Sequence, residues 1–321
     1  MPSISRDDDV LIRVTSAGIC TADLEIIAGV HPFAKPGNVL GHEFGGIVEA
    51  VGASVQRLSV GDKVAVDPVC SCGTCHACRI GKPNVCRNLQ TMGVHRDGGF
   101  CEYVCVREEH VHRFADQSIR ETLLATVEPY SIGAQNNHRA GVSAADTVLI
   151  IGAGAIGLCA LQDARRRGAR VIVTDLYESR LRRAEAMGAD ISISSKKADM
   201  DGILRSITDQ HGPDVIINTA GDPALVEACV RYVAAGGRIV IVGLSTQPSQ
   251  IRQSDIVGKE ISIFGSRLNT RLFDYVISGF DDGSYNPDLL VSHFFPLTAF
   301  NSAIDLIRAQ PESTCRVVLT F

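Results

Sequence analysis

The chain has 321 residues, of which 45% are hydrophobic, 21% are charged and 30 are glycine, a composition typical of a soluble α/β protein with two domains. Its formal net charge of −5 provides no basic face for nucleic acid or for an anionic membrane. The opening segment MPSISRDDDVLIRV lacks the basic start and apolar stretch of a signal peptide, so we expect a cytoplasmic protein that binds neither nucleic acid nor membrane.

The first third of the chain predicts an irregular, mostly β domain. Its short apolar runs are separated by turn residues and read VLIRVTSAGI, GGIVEAVGA, DKVAVDPV and FCEYVCV. Cys20 follows the first run, His42 and Glu43 lie in GHEFGG, and Glu128 stands before a proline. Taken singly, these residues fit a buried thiol, a surface histidine and a glutamate at a helix start.

The segment CSCGTCHACRIGKPNVC, residues 70–86, holds five of the eleven cysteines. Such density fits a disulfide framework, a metal site or a redox centre, and a reducing cytosol favours metal binding or catalysis over disulfides. The spacing Cys72-x2-Cys75-x2-Cys78-x7-Cys86, on a segment with turn residues, is typical of four thiolates around a structural zinc ion. Cys70 falls outside this pattern, either as a bystander or as an exchangeable fifth thiol.

Beyond about residue 126 the pattern changes to strands that alternate with helices. The strand-like runs are TVLIIGAG, RVIVTD, DVIINTAG, RIVIVGL and ISIFGS, and ESRLRRAEAMGA has apolar residues at helical spacing. This alternation predicts a doubly wound parallel sheet covered on both faces. After about residue 266 the elements are mixed, and we expect the final strand-like CRVVLTF to return to the first domain.

The run GAGAIG, residues 152–157, directly follows the strand TVLII and opens a helix. This is the context of a dinucleotide-binding loop, in which glycines allow a close approach of pyrophosphate to a helix N-terminus. Asp175 ends the next strand, where its carboxylate would bind a ribose 2′-hydroxyl and repel a 2′-phosphate, which favours NAD over NADP. The alternative is a glycine-rich turn without a ligand. The candidate cofactor-binding residues are Gly152, Gly154, Ala155, Ile156, Gly157, Asp175, Arg180, Gly221 and Gly243.

In this order, GHEFGGIVEAVG, the cysteine lobe and the dinucleotide fingerprint resemble the zinc-dependent medium-chain dehydrogenases of the alcohol dehydrogenase superfamily. The resemblance implies an α/β protein with a Rossmann domain and a mostly β GroES-like catalytic domain. It places the catalytic domain at residues 1–129 with a zinc lobe at 70–88, the NAD-binding domain at 130–266, and a return segment at 267–321. It also implies two zinc ions per chain, NAD, and a homodimer or homotetramer.

By this resemblance, Cys20, His42 and Glu128 are the catalytic zinc ligands, and Glu43 is an outer or exchangeable carboxylate. A glutamate before proline at the third position points to sorbitol, threonine and sugar dehydrogenases. The segments MGVHRDGGFCEY, GSRLNT and VVLTF look most like dehydrogenases of sugar acids such as galactonate. That likeness places His95, Arg267 and Asn269 beside the substrate. The alternative for His95 is a surface loop residue without a ligand. The alternative for Arg267 is binding of the cofactor phosphates.

Three features depart from the family pattern. Ala22 replaces a Ser or Thr, Glu25 replaces a His of the usual proton path, and a first strand pair before DDDVLIRV is missing. From the resemblance as a whole, we predict hydride transfer from a secondary alcohol of a polyol, sugar or galactonate-like sugar acid to NAD. One alternative is a threonine or simple-alcohol dehydrogenase. Another is a non-catalytic sensor that binds zinc and a nucleotide.

Overall fold

A computed structural model describes residues 2–34, 37–196 and 199–321. Within these ranges the strands are β1 (Asp9–Ile19), β2 (Glu43–Val51), β3 (Lys63–Val66), β4 (Val69–Cys70), β5 (Gln90–Thr91), β6 (Tyr103–Arg107), β7 (Val111–Arg113), β8 (Thr147–Ile151), β9 (Arg170–Asp175), β10 (Ile191–Ser194), β11 (Val215–Asn218), β12 (Arg238–Ile241), β13 (Ser262–Gly265), β14 (Val291–Pro296) and β15 (Arg316–Thr320).

The α-helices are α1 (Thr21–Ile27), α2 (His76–Arg79), α3 (Val127–Ala140), α4 (Ala155–Arg166), α5 (Glu178–Ala186), α6 (Met200–Ile207), α7 (Pro223–Tyr232), α8 (Gln253–Lys259), α9 (Phe273–Asp281), α10 (Pro287–Leu290) and α11 (Phe300–Ala309). Short 3₁₀ helices span Pro83–Val85, Glu108–His110, Glu121–Thr126 and Leu297–Ala299. No helix in the described ranges is both long and apolar enough to span a bilayer. The chain divides into two compact units: unit 1 comprises residues 1–131 and 268–321, and unit 2 comprises residues 132–267.

Unit 1 is built on a mostly antiparallel sheet with the order β14-β15-β1-β2-β3-β7, and β6 also pairs with β1. The long strand β1 is buried along nearly its whole length, since it pairs with β2, β6 and β15. Its apolar side chains pack with those of β2, β3, β6 and β7 in one core cluster, centred on residues such as Ile12, Phe44 and Val64. This sheet sets which residues at the strand ends lie close together.

Unit 2 is a six-stranded parallel sheet with the order β10-β9-β8-β11-β12-β13. The central strands β8 and β11 are mostly apolar, and all of their residues except Thr147 are buried, as expected when a parallel sheet is covered by helices. The carboxyl ends of β8, β9, β11 and β12 carry the loops that the sequence nominates for nucleotide binding. The predicted fold class, a parallel α/β domain combined with a mostly β domain, is confirmed.

Candidate metal centres and nucleotide site

Three potential metal ligands of unit 1 converge at the ends of β1 and β2. Sγ of Cys20, a ring nitrogen of His42 and a carboxylate oxygen of Glu43 all lie within 4.8 Å of one another. Cys20 follows β1 directly, and Glu43 is the first residue of β2. Because the two strands are antiparallel with Gly18 opposite Glu43, their pairing register brings these ends together.

Glu43 is almost completely buried, and its two carboxylate oxygens have different surroundings. Oε1 lies 3.0 Å from Nη1 of Arg316 on β15, which also donates a hydrogen bond to the carbonyl oxygen of Ile19. Oε2 receives no hydrogen bond from the described residues, and a Cβ atom built on Gly18 would collide with it. The absence of a side chain at Gly18 therefore gives the Glu43 carboxylate room beside Cys20.

Asp23 holds the two halves of this cluster in place. Its Oδ2 accepts the backbone N–H of Cys20 at 2.8 Å, and its Oδ1 accepts the N–H of Gly41 at 3.3 Å and lies 3.7 Å from Nδ1 of His42. Asp23 is the third residue of a helix that begins directly after Cys20, which explains why one carboxylate reaches both segments.

The electrostatics of the cluster favour a bound cation. Burial disfavours a charged His42, but the neighbouring Cys20 thiol and Asp23 carboxylate outweigh burial and raise the pKa of His42 well above its usual range. Nδ1 of His42 is buried and receives no hydrogen bond from any described residue. One thiolate, one imidazole and one carboxylate are the donor types that Zn²⁺ binds in catalytic sites, so these residues fit a zinc ion.

Glu43 is the described carboxylate that meets the ligand spacing to Cys20 and His42. It follows His42 directly in the chain, and its Oε2 lies beside Gly18. Glu128 as the third zinc ligand stays a prediction. Glu128, on α3, is also buried, and burial together with the negative charge of Glu43 raises the pKa of Glu128 to about 8.

The four-cysteine lobe has the geometry of a closed tetrahedral site. The Sγ–Sγ distances are 3.5 Å for Cys75–Cys78, 3.8 Å for Cys75–Cys86 and 3.4 Å for Cys86–Cys72. Zinc–sulfur bonds of about 2.3 Å in a tetrahedron require sulfur separations of about 3.8 Å. All four cysteines are free thiols that meet the ligand spacing, and the backbone N–H and hydroxyl of Thr74 lower the pKa of Cys72 to about 6.

Cys70 lies in the same lobe but apart from the four thiols. Its Sγ lies 3.7 Å from the carbonyl oxygen of Pro68, and burial raises the pKa of its thiol. It does not belong to the four-cysteine group that the described residues form.

The glycine loop of unit 2 connects β8 to α4 in the arrangement that a dinucleotide requires. Gly152 has φ of +99°, a backbone conformation in which glycine is unstrained. A Cβ on Gly157 would collide with the carbonyl oxygen of Gly152, so this glycine permits tight packing of the helix against the loop. A Cβ on Gly154, the N-cap of α4, would meet no described atom within 4 Å, which leaves open space at the helix N-terminus. Ala155 and Ile156 form the first helical turn, where backbone N–H groups are available to an anion.

Asp175 closes β9 beside this loop. Its Oδ2 accepts the N–H of Ala153 at 2.8 Å, and its Oδ1 accepts the N–H of Tyr177 at 3.0 Å. Nη1 of Arg180 lies 3.7 Å from Oδ2, and the Arg180 guanidinium lies over the Tyr177 ring. The carboxylate is therefore held at the strand end where the dinucleotide fingerprint places an acidic residue that binds a ribose hydroxyl.

The later glycines of unit 2 lie where two neighbouring loops touch. A Cβ on Gly243, after β12, would collide with the backbone of Ala220, and a Cβ on Gly221, after β11, would lie 2.6 Å from the carbonyl oxygen of Leu244. A cavity of about 240 Å³ opens beside these loops. Both glycines thus allow a close approach of loops at the ligand-binding edge of the sheet.

The three predicted substrate residues occupy different environments. His95 is half-buried, and its Nδ1 accepts the N–H of Thr91 at 3.1 Å. Asn269 is 1% exposed, donates to Oδ1 of Asp67 at 3.4 Å and accepts from the N–H of Leu272 at 3.2 Å. Arg267 is exposed and belongs to unit 2, whereas the other two belong to unit 1.

Sequence reasoning missed three residues that shape the candidate metal centre: Gly18, Asp23 and Arg316. A signal exists for Arg316, since an arginine at the start of an apolar strand such as RVVLT needs a buried partner. No sequence signal identifies Gly18, because its role depends on the register of β1 against β2.

Comparison with known families places this geometry in context. Residues 6–116 match the model for the alcohol dehydrogenase GroES-like domain, and residues 155–279 match the model for zinc-binding dehydrogenases.

Relatives cover nearly the whole chain. The starvation-sensing protein RspB of Escherichia coli (strain K12) is 39% identical over 98% of this chain and 92% of its own length. Sorbitol dehydrogenase of Bacillus subtilis (strain 168) is 37% identical over 100% of this chain and 92% of its own length. L-galactonate-5-dehydrogenase of Escherichia coli (strain K12) is 30% identical over 99% of this chain and 93% of its own length. L-threonine 3-dehydrogenase of Caldanaerobacter subterraneus subsp. tengcongensis is 32% identical over 94% of this chain and 88% of its own length.

A solved structure is also similar to this chain over its whole length. The crystal structure of an alcohol dehydrogenase (rspB) from E. coli CFT073 complexed with NADH superimposes with a TM-score of 0.92 at 37% identity, covering 100% of this chain and 94% of that chain.

Proposed function

The chain belongs to the zinc-dependent medium-chain dehydrogenases of the alcohol dehydrogenase superfamily, and we propose that it oxidises a secondary alcohol of a polyol, sugar or sugar acid. It is an NAD-dependent zinc dehydrogenase, and its cofactors are zinc and NAD. The observation that carries the proposal is the convergence of ligand atoms of Cys20, His42 and Glu43 within 4.8 Å of one another.

Cys20, His42 and Glu43 are the proposed ligands of the catalytic zinc. When bound, zinc acts as a Lewis acid that lowers the pKa of a substrate hydroxyl. Asp23 orients both Cys20 and the segment that carries His42, and Arg316 anchors one oxygen of Glu43. Cys72, Cys75, Cys78 and Cys86 are the proposed ligands of the structural zinc, which stabilises the lobe and takes no part in the chemistry.

Unit 2 supplies the proposed cofactor site. The N–H groups at the start of α4 would bind the pyrophosphate, and Asp175 would accept a hydrogen bond from the ribose. Because the Asp175 carboxylate repels a 2′-phosphate, the site selects NAD over NADP. The same loop edge holds Gly221 and Gly243, and Arg180 lies against Asp175.

The substrate proposal draws on the relatives that are named as sorbitol and L-galactonate-5-dehydrogenases. An exposed guanidinium at Arg267 suits a sugar-acid carboxylate or a cofactor phosphate. His95 and Asn269 remain predicted neighbours of the substrate, and the cytoplasmic location and the homodimer or homotetramer remain predictions. A threonine dehydrogenase is the second candidate, favoured by the relative named for that activity.

A substrate panel tests the reaction. We expect NADH formation with sorbitol or with an aldonate such as L-galactonate, and its loss after treatment with a chelator that strips zinc. Turnover of threonine alone would select the second candidate. Turnover that survives complete removal of zinc would contradict the proposed chemistry.

Paired variants test the third ligand. We expect Glu43→Gln to reduce the zinc content from two ions to one per chain, whereas Glu128→Gln keeps two. The opposite result would restore Glu128 as the ligand. Cys20→Ser and His42→Ala should abolish turnover while NADH still binds, and full activity in either variant would overturn the site.

A further inference from the structure

Unit 1 contains a polar cavity of about 380 Å³ that is lined by none of the proposed zinc ligands or nucleotide-binding residues, although one lining residue, Asn269, is also a predicted neighbour of the substrate. Asp67 follows β3, His112 belongs to β7, and Asn269 and Arg271 lie in the turn before α9, which carries Asp274. The volume is within the usual range for small-molecule sites.

Asp67 brings a buried hydrogen-bond acceptor to the cavity. The residue is 8% exposed, and its Oδ1 accepts the N–H of Val69 at 3.0 Å and the amide N–H of Asn269 at 3.4 Å. Oδ2 receives no hydrogen bond from any residue in the described ranges. Burial raises the pKa of Asp67, as expected for a carboxylate short of donors. Oδ2 is therefore available to accept a hydrogen bond from a ligand.

Arg271 brings an uncommitted positive charge. Its backbone has φ of +59°, a left-handed conformation that a side chain other than glycine, asparagine or aspartate adopts at a cost. Within the described part of the chain its guanidinium makes no hydrogen bond or ion pair, although its charge is near enough to lower the pKa of Asp67. An arginine kept in a strained turn, with all five donors available, suits an anion.

The Asp274 carboxylate orients the ring of His112. Its Nδ1 lies 2.6 Å from Oδ1 of Asp274, and the ring packs against Phe273 at a centroid distance of 5.2 Å. When Nδ1–H donates to Asp274, the remaining nitrogen, Nε2, is a hydrogen-bond acceptor. The cavity therefore offers the Asp67 carboxylate and the His112 ring as hydrogen-bonding groups and Arg271 as a cation, and its lining also includes Arg57, Glu109 and His110.

We propose that this cavity is a second small-molecule site, which binds a small hydroxylated anion, a carboxylate or a phosphate ester that carries free hydroxyl groups. The anionic group pairs with Arg271, and ligand hydroxyls donate to Oδ2 of Asp67 and Nε2 of His112. A simple anion lacks donors for the two acceptors, and a neutral polyol leaves Arg271 without a partner. The site does not depend on the zinc ligands or on the identity of the oxidised substrate.

Calorimetric titration of the zinc-loaded enzyme tests this site. D-glycerate and glycerol 3-phosphate are the hydroxylated probes, and acetate, sulfate and glycerol are the controls. We expect one of the first two to bind saturably and at least about tenfold more tightly than any control, because charge-assisted and neutral hydrogen bonds combine. The better of the two identifies the anion as carboxylate or phosphate. Equal affinities for acetate or sulfate and the hydroxylated probes would overturn the role of Asp67 and His112.

Arg271→Gly locates the binding. Glycine removes the guanidinium and also relieves the left-handed backbone, so we expect a folded protein with a higher melting temperature than the parent, unchanged turnover and loss of probe binding. Arg271→Lys should retain weaker binding. Binding of the probe to Arg271→Gly at parental affinity would show that it occupies another site, and the proposal would fail. Failure of the parent enzyme to bind either hydroxylated probe would also reject it.

Discussion

At the scale of single residues, the Glu43 carboxylate is held by two neighbours of opposite character. Arg316 pairs with one oxygen through a charge, and Gly18 accommodates the other through the absence of a side chain. The geometry of the candidate metal centre therefore depends on a glycine that no chemical motif identifies.

Gly18→Ala should disturb this centre. The added methyl group would displace Oε2 of Glu43, and loss of a supporting contact typically lowers metal affinity or activity about 10- to 100-fold. We expect fewer than two zinc ions per chain by atomic absorption and a matching fall in kcat/KM. Gly258→Ala in α8 is the control, since a Cβ there meets no described atom within 4 Å and should leave both values unchanged. Normal zinc content in Gly18→Ala would exclude the proposed role of Gly18.

At the scale of structural elements, the zinc lobe is a short segment with little regular structure, whose only α-helix in the described residues is the four-residue α2. Four thiolates close the lobe, and structural zinc contributes folding free energy directly.

Cys75→Ser should therefore remove one zinc ion and lower the melting temperature, whereas Cys70→Ser should keep both zinc ions. Cys70 is the matched control, because it lies in the same segment but outside the four-thiol group. Thermal unfolding and zinc analysis of the two variants provide the test. Zinc loss in Cys70→Ser would assign that thiol to the metal.

Hydrogen bonds to the Asp9 carboxylate stabilise the turn before β1, and this stabilisation depends on pH. Oδ2 of Asp9 accepts the backbone N–H and hydroxyl of Ser5, each at 3.0 Å, and the N–H of Arg6 at 2.9 Å. Burial raises the pKa of Asp9, but these hydrogen bonds outweigh burial and hold it below its ordinary value of about 3.9. The stabilisation is therefore complete above about pH 4 and is lost as the pH falls through the folded-state pKa.

Asp9→Asn should lower the free energy of unfolding at pH 7 by about 1 kcal/mol and flatten its dependence on pH below about pH 4. Urea unfolding at a series of pH values measures both effects. Asp7→Asn, at an exposed neighbouring position, is the control and should reproduce the parental curve. A parental slope in Asp9→Asn would contradict the assignment.

At the scale of the whole molecule, the proposed zinc ligands all belong to unit 1, and the residues of the glycine loop and Asp175 belong to unit 2. Zinc depletion should abolish turnover and leave the affinity for NADH unchanged, as measured by fluorescence titration. Asp175→Ser should weaken NADH binding, and this variant should retain two zinc ions per chain. Loss of NADH binding on zinc depletion would show that the two tasks are coupled.

Features that are local in the sequence could be predicted, since a short stretch contains their physical cause. The glycine loop, Asp175 at the end of β9 and the four-cysteine spacing each lie within a short segment, and the structure shows the expected local geometry. The fold class also followed from the change in hydrophobic periodicity. The approach of Glu43 to Cys20 and His42 could not be predicted in the same way, because it depends on strand register and on Arg316, which is distant in sequence.

The pairing of β15 with β1 has a consequence for the order in which the protein forms on the ribosome. Residues 16–19 pair with residues 317–320, so the sheet of unit 1 lacks β15 until almost the whole chain has been synthesised. Unit 2 precedes β15 in the chain, and within the described ranges its strands form a sheet of their own. Since contacts distant in sequence form slowly and domains generally fold as units during synthesis, we expect the nucleotide-binding sheet to be complete while β1 still awaits its last partner.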